Sequence, residues 1–277
     1  MIVFKPETIA LTLLITAIGC GPKTTPSTSA DAIIETEVEP TVEEVELPSA
    51  DSLFDRHLQA IGGVEGLEAG MSSSAIIRME IPLAGISGTM TMISDNGERL
   101  YLEHSLPGAT EGVTVVNGDM AWSVDSVSGP RLIEGDELRA LKMDNDPLAA
   151  AHYAEIYPAR ETIALTEFND EAAYQVSAST EWGKTDTLFF AVESGLAIGS
   201  TTTESTAVGD MLVTTKMLDY KVFSGMLMPS VISQTAGPMV INLIVESVTL
   251  DPVIDSAIWV PPPEIVELME EFQGAEE

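Results

Sequence analysis

Segments in which apolar and polar residues alternate with a period of two fill most of the chain from residue 75 to residue 250. In the last of them, Ile241, Leu243 and Val245 occupy one set of alternate positions. Successive side chains of a β-strand point to opposite faces, so this spacing predicts half-buried strands. Twelve strands are predicted, at residues 75–83, 86–94, 99–105, 113–116, 120–127, 162–168, 172–180, 185–192, 198–205, 211–223, 228–234 and 240–250.

Turn sequences join neighbouring segments into hairpins. Asp95-Asn96-Gly97, Asn117-Gly118-Asp119 and Ser224-Gly225 are typical, because Asn, Asp and Gly tolerate the positive φ that tight hairpin turns require. Helical spacing is confined to residues 52–61, 64–67, 134–143, 148–157 and a tail from residue 264. The sequence therefore predicts a mostly β (α+β) fold, an antiparallel meander in one domain with a few short helices.

The only cysteine, Cys20, follows the apolar run of residues 9–18. That run is too short to span a bilayer but has the length of a secretory signal core, and small residues precede the cysteine. The segment resembles the lipobox of bacterial lipoproteins. The resemblance implies cleavage before Cys20 and acylation of that cysteine, and with Gly21 next it favours the outer membrane.

The chain after Cys20 is rich in Thr, Ser, Pro and Glu up to residue 50. Such a composition buries too little apolar surface to order itself. We therefore divide the chain into a signal peptide (1–19), an acylated cysteine with an acidic linker (20–50), a β domain (51–263) and an acidic C-terminal helix or tail (264–277).

The balance of charge excludes one class of partner. With 12 Lys and Arg against 44 Asp and Glu, the formal net charge is −32, so no basic footprint exists for nucleic acid. A surface so strongly charged favours a solvated monomer. Aromatic residues make up 5% of the chain and methionines number 13, which predicts that any interior cavity is lined by soft aliphatic groups.

Five motifs lie at residues 58–67, 117–122, 129–135, 219–229 and 252–262. In this order they resemble the outer-membrane lipoprotein-sorting-protein-like family, the relatives of LolA and LolB, and together they cover most of residues 51–263. The resemblance implies an unclosed antiparallel β-barrel with short helices covering its concave face, and a cavity that takes acyl chains.

Six apolar residues in or directly beside the predicted strands are candidates for the ligand-binding lining. An ordinary packed core is an equally good interpretation of the same positions. The candidates are Met90, Met92, Leu100, Leu102, Met217 and Met239.

No motif for catalysis or for a metal emerges. His57, His104 and His152 lack a ligand at metal-binding spacing, and we expect them to be partly exposed polar positions. Trp122 and Trp259 are expected to be core residues. We predict no cofactor and no enzymatic activity, although the many carboxylates leave an acid–base hydrolase as a third alternative.

Two functions remain ahead of that alternative. The first is an envelope lipoprotein, anchored in the outer membrane and facing the periplasm, that binds a lipid, an acyl chain or a lipoprotein and takes part in their trafficking. The second is a non-catalytic envelope scaffold with a filled interior. An open cavity supports the first function, whereas close packing supports the second.

Overall fold

The computed structural model describes residues 46–206 and 209–274, which build one 13-stranded antiparallel sheet. Each of the twelve predicted segments forms one of its strands. The strands are β1 (Ser72–Ile81), β2 (Ile86–Asp95), β3 (Arg99–Leu106), β4 (Thr110–Asn117), β5 (Met120–Asp125), β6 (Gly129–Leu132), β7 (Ala159–Phe168), β8 (Glu171–Ser179), β9 (Thr185–Ala191), β10 (Ala197–Thr206), β11 (Gly209–Phe223), β12 (Met226–Ala236) and β13 (Met239–Leu250).

Two meanders make up the sheet, and one strand pair joins them. The strand order is β6-β5-β4-β3-β2-β1-β13-β12-β11-β10-β9-β8-β7. β1 and β13 pair from Ser73 opposite Leu250 to Glu80 opposite Asn242. Within the described residues β6 and β7 are edge strands that do not pair with each other, so the barrel is open. The predicted unclosed antiparallel barrel is confirmed.

Five helices accompany the sheet in the described ranges. They are α1 (Ala50–Ala60), α2 (Gly63–Glu68), α3 (Gly135–Asp144), α4 (Tyr153–Ile156) and α5 (Pro263–Gly274). The hydroxyl of Ser49 accepts a hydrogen bond from the Ser52 N–H and caps α1. Gly62, with φ of 113°, turns the chain after that helix. Among the residues described, no helix combines the length and apolarity that crossing a bilayer requires.

Two segments differ from their prediction. The edge strand β6 was not predicted, because it is four residues long and contains Gly129 and Pro130, which occur in strands mainly at edges. The helix predicted over residues 148–157 is wrong in length, since only Tyr153–Ile156 is helical. The Asp146 carboxylate accepts a hydrogen bond from the Leu148 N–H and holds residues 146–151 in consecutive turns.

The larger hydrophobic core lies on one face of β1–β5, β12 and β13. Leu141 of α3 packs into it. This face is the concave side of that half of the sheet, and its interior is filled by the sheet's own side chains. The core includes Ile77, Met79, Met90, Met92, Leu100, Leu102, Met228, Ile232 and Leu243.

The opposite, convex face of β3–β6 is covered by the C-terminal segment. Trp122 of β5 packs with Trp259 and with the fully buried Ile265 of α5. Arg99 lies over the Trp259 ring, 4.9 Å from its centroid. Both tryptophans are buried, which confirms them as core residues, and they lie between the sheet and the C-terminal segment.

At Gly88 the backbones of β2 and β3 pack closely against each other. A Cβ on Gly88 would lie 1.9 Å from the Ser105 carbonyl oxygen, whereas a Cβ on Gly66 in α2 would meet nothing closer than 3.7 Å. We expect Gly88→Ala to lower the free energy of unfolding by about 2 kcal/mol or more, because the backbone of β3 must move. Gly66→Ala is the control and should be neutral or stabilising in urea unfolding. Equal effects of the two changes would contradict the close strand packing.

Candidate functional site

An apolar cavity lies between the helices and the second half of the sheet. Helix α1 contributes one wall, α3 and α4 with their connection contribute another, and β9–β11 form the floor. Its lining consists of Phe54, His57, Met143, Asp144, Ala149, Ala150, Tyr153, Ile156, Tyr157, Leu188, Phe190, Ala197, Gly199, Ser200 and Met217.

Aromatic rings hold the two walls together. Phe54 of α1 stacks on Tyr153 of α4 with centroids 4.6 Å apart, and it meets Phe190 of β9 edge-on at 5.1 Å. Tyr157 lies 6.2 Å from the same ring. Such pairs add about 0.5–1.5 kcal/mol each beyond the area they bury. The position of α1 over the sheet therefore depends on Phe54.

His57 fixes the other end of α1 to the sheet. The Ala197 N–H donates to its Nδ1 at 3.1 Å, and the imidazole lies 6.0 Å from the Phe190 ring centroid. The side chain is buried, and burial lowers the pKa of His57 to about 4. The neutral imidazole therefore acts as a structural hydrogen-bond acceptor at neutral pH.

Polar groups around the cavity bond to protein partners. The Tyr157 hydroxyl donates to Asp186 Oδ2 at 2.7 Å, and the Tyr220 hydroxyl donates to the Ala197 carbonyl at 2.6 Å. Burial raises the pKa of Tyr220, so this phenol stays neutral. Among the described lining residues Asp144 alone carries a carboxylate. The interior surface is thus nearly all hydrocarbon and aromatic ring.

The cavity volume is about 80 Å³. Sites that enclose drug-sized ligands measure roughly 300–1,000 Å³, so this form of the protein holds only a fraction of a long acyl chain. The wall formed by residues 145–152 consists of turns, whereas the floor is hydrogen-bonded strand. Enlargement is therefore easiest by displacement of that wall.

The predicted ligand-binding residues fall into two groups. Met217 lies in the cavity lining. Met90, Met92, Leu100 and Leu102 are buried in the larger core, and the half-buried Met239 packs against it. Their contact with a ligand stays a prediction, and the acylation site Cys20 lies outside the described residues.

The expectation of an aliphatic lining is wrong. Four aromatic rings, those of Phe54, Tyr153, Tyr157 and Phe190, meet at the cavity. Aromatic residues are scarce in the chain as a whole, but the fold gathers several of them from α1, α4 and β9. Composition carries no information about such clustering.

The expectation that all three histidines are partly exposed is also wrong. His57 and His104 are each 7% exposed, and only His152 is half-buried. His104 Nε2 lies 3.4 Å from Asp125 Oδ2, and burial lowers the pKa of His104. In the described ranges no group of three or more His, Cys, Asp or Glu side chains is placed to hold a metal ion.

Solved structures share this architecture. A LolA superfamily protein from Nitrosomonas europaea superposes with a TM-score of 0.52 at 15% identity, covering 78% of this chain and 99% of that one. A DUF1329 family protein from Desulfovibrio piger gives 0.51 at 9% identity, covering 76% and 96%. No family model matches the sequence, and no curated protein matches it. The chain therefore has a LolA-like fold.

His57 makes the stability of the helix-covered half depend on pH. An unfolded histidine has a pKa near 6.5, and the folded value is about 4, so the unfolded chain binds the proton first. Stability contributed by neutral His57 is complete above pH 6.5 and is lost as the pH falls toward 4, by up to about 3 kcal/mol.

We expect His57→Asn, which offers an acceptor that does not titrate, to lose less stability than the wild type between pH 6.5 and 4. The measurement is urea unfolding at a series of pH values. The carboxylates titrate in both proteins, so the difference between them isolates His57. Parallel curves across that window would contradict the assignment.

Proposed function

We propose that this protein is a lipid-anchored envelope protein that binds an apolar ligand between α1, the α3–α4 wall and strands β9–β11. The observation that carries the proposal is the apolar cavity in the concavity of an open LolA-like sheet. Its lining has many apolar contacts to offer and few polar groups, which suits an acyl chain. The ligand is a lipid, a free acyl chain or the acyl chain of a lipoprotein. The protein takes part in the trafficking of such molecules.

Ligand entry requires the cavity to grow. The stacked Phe54 and Tyr153 rings separate when residues 145–157 move away from α1, and an acyl chain replaces the ring contacts they lose. Each methylene buried supplies about 0.8 kcal/mol before the cost of association is deducted. A chain of a dozen or so carbons therefore compensates for separating the two rings.

The lining argues against an acid–base hydrolase. General acid–base cleavage by carboxylates needs two of them facing one substrate bond. Asp144 is the single carboxylate that the described lining residues contribute. A binding function fits this surface better than catalysis does.

An envelope scaffold without a ligand is the second candidate, and one observation favours it. The larger half of the concave face is filled by close-packed side chains, among them Met90, Met92, Leu100 and Leu102. A protein whose cavity never enlarges beyond about 80 Å³ would present surfaces to partners and hold no lipid. Ligand binding separates the two candidates.

Anchoring through Cys20 completes the proposal. The sequence before it has the features of a lipoprotein signal, and two or more acyl chains give stable attachment where a single chain is marginal. The protein would then face the periplasm from the outer membrane, as a monomer kept soluble by its charge.

Binding is tested with a fluorescent neutral fatty-acid ester, because a charged fatty acid would be repelled by the acidic protein. Ala150→Leu adds three carbons to the cavity lining, so we expect it to weaken the binding of the probe at least tenfold. Ala150 is buried beside Ile61 and Leu67, so thermal unfolding must show that the variant is still folded at the assay temperature. Ala154→Leu is the matched control, since Ala154 lies on the exposed side of the same segment. Absence of saturable binding by the wild type would favour the scaffold.

Acylation is tested separately in cells. Cys20→Ser should abolish labelling by palmitate and leave the signal peptide uncleaved, because the thiol is the group that receives the lipid. Fractionation of the wild type should place it with the outer membrane. Palmitate labelling that persists in the variant would contradict the anchor at this residue.

A further inference from the structure

The hairpin turns of the sheet divide between two ends that differ in chemistry. Because neighbouring strands are antiparallel, every second turn lies at the same end. One end carries the turns β5–β6, β3–β4, β1–β2, β12–β13, β10–β11 and β8–β9, in this order along the sheet. We call it the apolar end. The other end carries the turns β2–β3, β4–β5, β7–β8, β9–β10 and β11–β12.

Large apolar side chains are exposed at the apolar end. Leu83 is 68% exposed, Leu212 near the start of β11 is 60%, Val127 is 53% and Trp182 is 37%. Pro107 and Pro238 are exposed in the two turns between them. Each hairpin along this rim therefore presents an apolar group to solvent.

Charge is nearly missing from the same turns. Among the described turn residues of the apolar end, Glu181 is the only carboxylate, and the neighbouring Lys184 pairs with Glu204 at 2.8 Å. Exposed Glu111 and Asp210 lie one residue inside their strands. The turns themselves are thus poor in charge for a chain of formal charge −32.

The opposite end has the reverse character. Four of its five turns expose one carboxylate each, and the chain leaving β13 adds another. Two valines, Val222 and Val253, are also exposed near this end. The exposed carboxylates are those of Glu98, Asp119, Asp170, Glu193 and Asp251.

The described chain also enters at the apolar end. Arg160, at the start of β7, donates to the Asp51 carboxylate in the first turn of α1. Ala159 is opposite Ser179, where β8 leads into the turn that carries Trp182. The first turn of α1 therefore lies on this side of the sheet.

We propose that the apolar end is a membrane-docking surface that rests its hairpin turns in the interfacial region of an uncharged, zwitterionic bilayer. Tryptophan and aliphatic side chains partition into that region, and binding scales with the apolar area inserted. The acidic opposite end then points toward water, and an anionic bilayer repels the protein. This surface is separate from the cavity and does not depend on ligand binding there.

Trp182 reports on docking directly, because Trp122 and Trp259 are 2% and 5% exposed. The protein used is the chain from residue 20 onward with Cys20→Ser, which keeps every described residue and lacks the acylation site. Added to vesicles of phosphatidylcholine brominated in its acyl chains, it should show quenched tryptophan emission. Vesicles with a third of anionic lipid should bind it several-fold more weakly at low salt.

Matched pairs of substitutions test the location. Leu83→Glu with Leu212→Glu at the apolar end should weaken vesicle binding at least about tenfold, whereas Val222→Glu with Val253→Glu at the opposite end should change it by less than about twofold. Ala150→Leu should leave it unchanged. Thermal unfolding confirms that each variant is folded, and Trp182→Ser replaces the first pair if that pair unfolds.

Three results would overturn the proposal. One is absence of quenching and of sedimentation with vesicles for the unsubstituted protein. Another is an equal effect of the two pairs. The third is self-association of the protein that rises with concentration, is removed only by Leu83→Glu with Leu212→Glu, and leaves vesicle binding unaffected by that pair. The apolar end would then be a contact between copies of the chain.

Discussion

The pairing of β1 with β13 is the constraint on which the rest of the structure depends. It joins strands separated by more than 150 residues and turns two sequential meanders into one sheet. The sheet still ends in two edges, and unpaired edges invite association with other chains. β6 is short, contains Pro130 and packs beside α5, whereas β7 has a bulge between Thr162 and Ala164 and exposed Glu161 and Glu167. Both edges therefore carry features that discourage further pairing.

Because the sheet does not close, side chains or helices must cover its concave face, and the two halves of the sheet are covered differently. β1–β5, β12 and β13 supply enough Met, Leu and Ile to fill their own concavity, with α3 adding Leu141. β8–β10 carry fewer large side chains there, and α1 and α4 fill the space with aromatic rings. The cavity therefore lies in the half that depends on helices.

The fold could be predicted from the sequence to a large extent, and the cavity could not. Period-two alternation and Asn-Gly turns are local properties, so twelve strands and their antiparallel order followed from them. Met90 and Met217 occur in similar strand patterns, yet one is packed in the core and the other lines the cavity. That difference depends on which helix lies over each strand. The burial of His57 could not be predicted for a similar reason, because its hydrogen bond to Ala197 joins residues 140 apart in sequence.

Electrostatic repulsion explains why cations are placed as they are. With 44 acidic side chains, each Arg or Lys relieves more repulsion when it joins two strands than when it stands alone. Arg78 of β1 forms ion pairs with Glu80 of its own strand and with Glu246 of the paired strand β13. Arg160 of β7 forms an ion pair with Asp51 of α1. These pairs are partly exposed, so each contributes little by itself. Their positions nevertheless coincide with two connections, the β1–β13 pair that joins the meanders and the contact between β7 and α1. Repulsion between carboxylates would otherwise oppose both connections.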